Sequence, residues 1–195
     1  MLVAIVGMTA TAQKKTHAKK GKYAFLKGEK TLNLEFNYNF MTIGRKNIAE
    51  EEYVNKKVTE YNAKEAGKGD KWKEGWEGSR ETRYEPKFET LINKSMGKAG
   101  ITASKGADAK YTLVVRTVMI EPGYNIGISK QPAYVNFEFD FVETGSKTVV
   151  ASYILYTVVG SQMGGFDFDS GSRIAESYAK GGKMLGAYIA KGTKK

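Results

Sequence analysis

Residues 31–40, TLNLEFNYNF, alternate without a break. Leu32, Leu34, Phe36, Tyr38 and Phe40 fall on one side and Asn33, Glu35, Asn37 and Asn39 on the other. A period of two with one apolar face predicts a half-buried strand. The period then lengthens. In NIAEEEYVNKKVTEYNAKEAG, Val54, Val58 and Tyr61 share a helical face, Glu52–Lys56 and Glu60–Lys64 are supporting pairs four apart, and Gly67 ends the run. The next stretch, GKGDKWKEGWEGS, breaks the period, is rich in glycine and charge, and reads as a loop holding both tryptophans, Trp72 and Trp76. A second helix follows, with Phe88, Leu91, Ile92 and Met96 inward, Pro86 in its first turn, and a stop near Gly97–Gly100.

Three strands come next. KYTLVVRTVMI is apolar on both faces and predicts a central strand. AYVNFEFDFV puts Phe137, Phe139 and Phe141 inward, with Asn136, Glu138 and Asp140 outward. TVVASYILYTVVG pairs with it through the turn formers Glu143-Thr144-Gly145-Ser146. The longer loop EPGYNIGISKQP joins the first two of these strands. In the closing helix, Ile174, Tyr178, Gly181, Leu185 and Tyr188 share a face, and Ala175, Ala179, Gly182, Gly186 and Ala190 form a stripe of small residues beside it. Adjacent glycines cost about 1 kcal/mol each relative to alanine, so a close approach to the sheet is expected to offset them. The predicted order is β-α-α-β-β-β-α: one α+β domain, residues 31–192, with helices on a largely antiparallel sheet of about four strands.

The stretch GSQMGGFDFDSGSRIAESY, residues 160–178, resembles a site at first sight. An EF-hand loop from Asp167 would need glycine at 172 and glutamate at 178, where Ser172 and Tyr178 stand. A phosphate loop would need lysine at a fixed distance after its glycines, and none is there. The stretch reads as a turn, with Asp169, Ser170 or Ser172 able to cap the last helix.

Ahead of the domain, MLVAIVGMTATAQKK has an apolar run, then Ala10-Thr11-Ala12, then an abrupt polar change at Gln13. This is the pattern of a secretory signal peptide over residues 1–12, its basic start supplied upstream, and it predicts a periplasmic or secreted protein. Residues 13–30 carry seven lysines against Glu29, so this segment holds +6 of the chain's net +10. Lys14, Lys15, Lys19, Lys20 and Lys22 are expected to form a flexible basic arm that touches a surface such as anionic lipid. A basic arm on a nearly neutral body does not favour nucleic acid as the partner.

The chain has no cysteine and one histidine, His17 in the arm. Thiol chemistry, a histidine-based triad and a histidine-ligated metal site are thereby removed, and no cofactor or metal is expected. Glu138 and Asp140 lie two apart on one strand face, roughly 7 Å apart. That is near the separation of an inverting glycosidase pair, yet it is also what any solvent-facing strand presents. Trp72 and Trp76, and the apolar loop residues Tyr124, Ile126 and Ile128, are candidate contacts for a partner. The alternative for the tryptophans is that the indoles fold back as a cover. Asn93-Lys94-Ser95 is a glycosylation sequon set in a predicted helix, and is discounted there.

From residue 85 onward the helix end KSMGKAGIT, the strand entry GADAKYTLVV, the hairpin FVETGSKTVVASY and the closing helix RIAESYAKGGKMLGAYIAK resemble a group of small envelope domains. These are the amino-terminal domain of TolB, the curli-secretion lipoprotein and related outer-membrane-associated proteins. The resemblance implies a periplasmic role in assembling, transporting or scaffolding envelope components, with no catalytic residues to carry over. Many such proteins are lipid-anchored through a cysteine that this chain lacks. The expectation is an exported, non-enzymatic binder of an envelope protein, glycan or anionic lipid surface. A carboxylate-based hydrolase of envelope polysaccharide is the alternative, and a nucleic-acid binder follows only without export.

Overall fold

A computed structural model of the chain describes residues 17–20, 22–126, 128–160 and 169–193. The expected leader, Lys14, Lys15 and residues 161–168 of the glycine-rich stretch lie outside the described residues. In chain order the elements are β1 (His17–Lys20), β2 (Thr31–Asn37), β3 (Thr42–Ile43), β4 (Ile48–Ala49), α1 (Glu50–Asn62), α2 (Lys68–Ser79), α3 (Glu85–Met96), β5 (Thr102–Lys105), β6 (Tyr111–Glu121), β7 (Tyr124–Asn125), β8 (Lys130–Gln131), β9 (Tyr134–Glu143), β10 (Val149–Val159) and α4 (Ser170–Gly192).

The α+β class stands, but the sheet is larger and more mixed than its alternation suggests. Among the described residues eight strands are joined, in the order β1-β10-β9-β6-β2-β5 with β3 and β4 alongside, and β7–β8 form a separate hairpin. β2 runs parallel to both β5 and β6, while β6, β9, β10 and β1 pair antiparallel. The parallel half has a simple cause. Helices α1 to α3 carry the chain back across the sheet between β2 and β5, and a long helical crossover returns a strand in its original direction.

Phe137, Phe139 and Phe141 of β9 are fully buried beneath the helices, together with Leu113 and Val115 of β6 and Phe88 and Ile92 of α3. The small residues of α4 meet α3 rather than the sheet alone. A Cβ on Gly182 would lie 2.4 Å from the Phe88 carbonyl oxygen, and one on Gly186 2.6 Å from that of Ile92. Gly181, by contrast, faces the sheet, against the Phe137 ring. Tyr188, expected inward, is exposed, and Ile189 takes the buried position.

Phe40 also departs from its expected face. β2 ends at Asn37, a turn closes through the Met41 N–H and the Tyr38 carbonyl at 3.3 Å, and Phe40 sits at its corner, exposed and with φ +61°. At the chain's front, β1 pairs with β10, and the helical turn Tyr23–Leu26 buries Tyr23 and Leu26 in the core. The described part of the expected arm is thus joined to the sheet from His17, with Lys19 and Lys20 in β1 and Lys22 exposed. Asp169 caps α4 as anticipated, its Oδ1 accepting from the Gly171 N–H at 3.0 Å.

Candidate functional site

The stretch read as a tryptophan loop is helix α2. Its start is fixed by Asn62, whose side chain accepts from the Gly69 N–H at 2.7 Å and donates to Asp70 at 3.1 Å. Gly69 passes so close to α1 that a Cβ would lie 2.3 Å from the Val58 carbonyl oxygen. Trp72 and Trp76, one turn apart, therefore face α1. Their rings lie 5.6 Å apart and pack on Tyr53, with Trp72 also on Tyr61. Trp76 is buried and donates from Nε1 to Glu50 at 2.7 Å, while Trp72 is half-buried. Burial pushes the Tyr53 phenol up to about 12, with Tyr61 adding to the effect. The indoles are a cover over α1. The helical signal was present in the spacing Gly69, Trp72, Trp76, Ser79, hidden by the glycines and charges between.

Glu138 and Asp140 do share the face of β9 away from the helices, and both turn to Arg116 of β6. Its Nη2 lies 3.3 Å from Asp140 and its Nε 3.9 Å from Glu138. The Ser152 hydroxyl donates to the other Asp140 oxygen at 2.5 Å. This is a cross-strand ion cluster, not two carboxylates facing each other over an open gap.

The loop between β6 and β9 is a braced hairpin. Arg173, in the first turn of α4, donates from Nε to the Pro122 carbonyl at 3.2 Å and from Nη2 to that of Gly123 at 3.3 Å. Gly123 has φ +62°, and a Cβ there would lie 2.3 Å from the Gln131 carbonyl oxygen. Its N–H donates to Glu121 at 3.2 Å, and the Tyr124 and Ser129 hydroxyls meet at 3.2 Å. From this frame Ile126 and Ile128 project with 64% and 98% of their surface exposed, and Tyr124 is exposed below them. The Gly44 N–H donates to the Ile120 carbonyl at 2.8 Å, which sets the exposed Arg45 and Lys46 by the hairpin's base; Lys130 in β8 is exposed too.

A second arrangement had no sequence signal. Between α2 and α3 the chain widens into a π-helical turn, Arg80–Tyr84, a feature frequent at functional sites. Glu85 follows it, 6% exposed. Its carboxylate accepts from the Tyr38 hydroxyl at 3.3 Å and from the Lys105 ammonium at 2.5 Å. The guanidinium of Arg80 lies 4.6 Å over the Tyr38 ring and is paired with Glu50. The Tyr38 hydroxyl also meets that of Tyr178, which shares a 2.5 Å hydrogen bond with Thr117. Burial drives the Tyr38 and Tyr178 phenols far above their ordinary value. The hydrogen bond with Glu85 holds the Lys105 ammonium above its own. A polar chain thus runs from Lys105 at the surface to Thr117 in the sheet. Among the described residues, no helix is long and apolar enough to cross a membrane.

No protein-family model matches the chain. No curated protein matches it. Among solved structures it is similar to the PelC dodecamer of Paraburkholderia phytofirmans, at 12% identity and a TM-score of 0.44, over 90% of this chain and 96% of that one. It is also similar to a Xanthomonas campestris protein of the DUF330 family, at 13% identity and a TM-score of 0.35, over 55% of this chain and 61% of that one. Likenesses this distant assign no residue a role, and they do not bear on the resemblance to TolB or the curli-secretion lipoprotein.

Proposed function

We propose that this chain is an exported, non-enzymatic envelope protein that holds to an anionic lipid surface through the β7–β8 hairpin. The observation that carries this is the tip itself. Ile126 and Ile128 project from a hairpin that is braced by Arg173 and Gly123 rather than loose. Exposed Lys130 stands next to the apolar tip and exposed Arg45 and Lys46 by the hairpin's base, so hydrocarbon contact and headgroup attraction act together. Glu121, the carboxylate at the hairpin's base, accepts from the Gly123 N–H.

The magnitudes suit reversible attachment. Burying an isoleucine side chain gains about 1.5–3 kcal/mol, and a lysine at an anionic surface about 1 kcal/mol. Lys14, Lys15, Lys19, Lys20 and Lys22 add to the same attraction. Export rests on the leader pattern, and protein recovered from the native periplasm should have a mass that starts at Gln13.

Flotation tests the lipid reading. The full mature chain should float with vesicles containing phosphatidylglycerol and not with pure phosphatidylcholine. Binding should fall as salt rises, and the Ile126→Ser/Ile128→Ser double variant should bind at least tenfold more weakly. Equal flotation of the variant and the parent would refute the hairpin's role.

A further inference from the structure

β5 ends at Lys105, opposite Leu34, but β2 runs on to Asn37. Beyond it, the next strand alongside is β4, which pairs with β3 at Thr42 and Ile43. Between them, among the described residues, the edge of β2 has no neighbouring strand. Gly106, with φ +72°, turns the chain away at that point. The Thr102 N–H donates to the Lys30 carbonyl at 2.9 Å, so the even-numbered backbone groups of β2 face β5. Phe36 therefore presents its N–H and C=O to the side where β5 has stopped.

This opening lies in a cleft of about 870 Å³ between β2, the end of α2 and the π-helical turn. On a chain of net charge +10 its lining is acidic: Glu35, Glu77, Glu81 and Glu85 against Arg80 and Lys105. Both cations already have carboxylates, Arg80 that of Glu50 and Lys105 that of Glu85. Glu35 and Glu81 are exposed and form no salt bridge among the described residues. Asn33 also lines the cleft; it is 9% exposed, and its Oδ1 is buried without a hydrogen-bond partner among the described residues. Phe36 and Tyr38 supply an apolar wall.

We propose that this cleft binds an extended, lysine- or arginine-bearing peptide segment of a partner protein, laid along β2 as a strand that continues the line of β5. Strand addition supplies main-chain hydrogen bonds, and alternate side chains reach the flanking pockets. Basic side chains there meet Glu35 and Glu81. The edge of β5 itself is occupied at Ala103 by the Asn93 amide, which directs addition to the gap on β2. This site stands apart from the hairpin and needs no lipid.

The test uses the full mature chain without vesicles and a fluorescent, end-blocked hexapeptide of alternating lysine and valine, followed by anisotropy. Spermine is the competitor that carries amines but no peptide backbone. The peptide should bind, spermine should displace it at least tenfold less effectively than unlabelled peptide, and the Glu35→Gln/Glu81→Gln variant should bind it at least tenfold more weakly. Both glutamates are exposed, so the variant should keep its unfolding midpoint, which is measured alongside. Peptide that fails to bind, or binds the folded variant unchanged, overturns the proposal. Spermine that competes as well as the peptide overturns strand addition and leaves an amine site only.

Discussion

The side-chain amide of Asn93 brackets the main chain of Ala103. Its Oδ1 accepts from the Ala103 N–H at 2.7 Å, and its Nδ2 donates to the Ala103 carbonyl at 2.8 Å. β5 is the edge of the sheet, and an amide placed there occupies groups that would otherwise template pairing with another chain. The sequon Asn93-Lys94-Ser95 is accordingly a poor acceptor, since its amide is already committed on helix α3. Asn93→Ala should lose about 1–3 kcal/mol by leaving buried groups unpaired. Urea unfolding measures the loss, and hydrogen exchange at Ala103 should accelerate with it.

Glycines on two helices should respond oppositely to alanine. At Gly182 and Gly186 the new methyl would meet the Phe88 and Ile92 carbonyl oxygens at 2.4 and 2.6 Å. Forcing α3 and α4 apart should cost about 1–3 kcal/mol or more for each. Gly75 and Gly78 in α2 have nothing within 4 Å of the added carbon. There alanine should stabilise by roughly 0.5–1 kcal/mol. Thermal melts of the four single variants give the sign directly.

Alkaline titration should unfold the protein through its phenols. Burial raises Tyr23, Tyr38, Tyr84 and Tyr178 above their ordinary value. A folded pKa above the unfolded value of about 10 contributes stability that is complete below pH 10 and is lost as pH rises beyond it. Phenolate absorbance at 295 nm should therefore rise in two stages, exposed tyrosines first and the buried ones only together with loss of the near-ultraviolet dichroism. A single smooth titration near pH 10 with the fold intact would contradict the buried placements.

Asp169 works in the other direction. Burial alone would raise its carboxyl, but hydrogen bonds from Arg83 and the Gly171 N–H outweigh it and hold the group below its usual value. A depressed folded pKa contributes stability above the unfolded value of about 3.9, lost as pH falls through the folded one. Asp169→Ala should cost about 0.5–2 kcal/mol at neutral pH. Asp169→Asn, which can still cap, should cost less and flatten the acid limb of the stability curve.

Much of the frame was legible because local pattern and tertiary role agree. Phe137, Phe139 and Phe141 alternate in sequence and are buried together, Pro86 opens α3 and Asp169 caps α4. Where they disagree, pattern misled. Helix α2 carries its period on Trp72 and Trp76 amid glycines and charges, and of those glycines Gly69 is the one required by the approach to α1. Phe40 continues an alternation that the backbone abandons at Asn37. The four residues of β5 have no periodicity to read, so the parallel edge was missed. Of the contact candidates, the hairpin residues Tyr124, Ile126 and Ile128 are exposed as a contact requires, whereas Trp72 and Trp76 are turned inward. The cleft depended on Tyr38, Glu85 and Lys105 meeting across long stretches of chain, which no local signal encodes.

The absence of cysteine permits a direct test of the hairpin's role. Ile128→Cys, labelled with a polarity-sensitive fluorophore, reports the tip, and Glu74→Cys on the exposed side of α2 serves as the reference. On addition of phosphatidylglycerol vesicles the label at 128 should shift to the blue and gain intensity, the label at 74 should not change, and the shift should shrink as salt is raised. A tip label that stays in water while the protein floats with the vesicles, or a protein that does not bind them, would contradict the lipid-surface function.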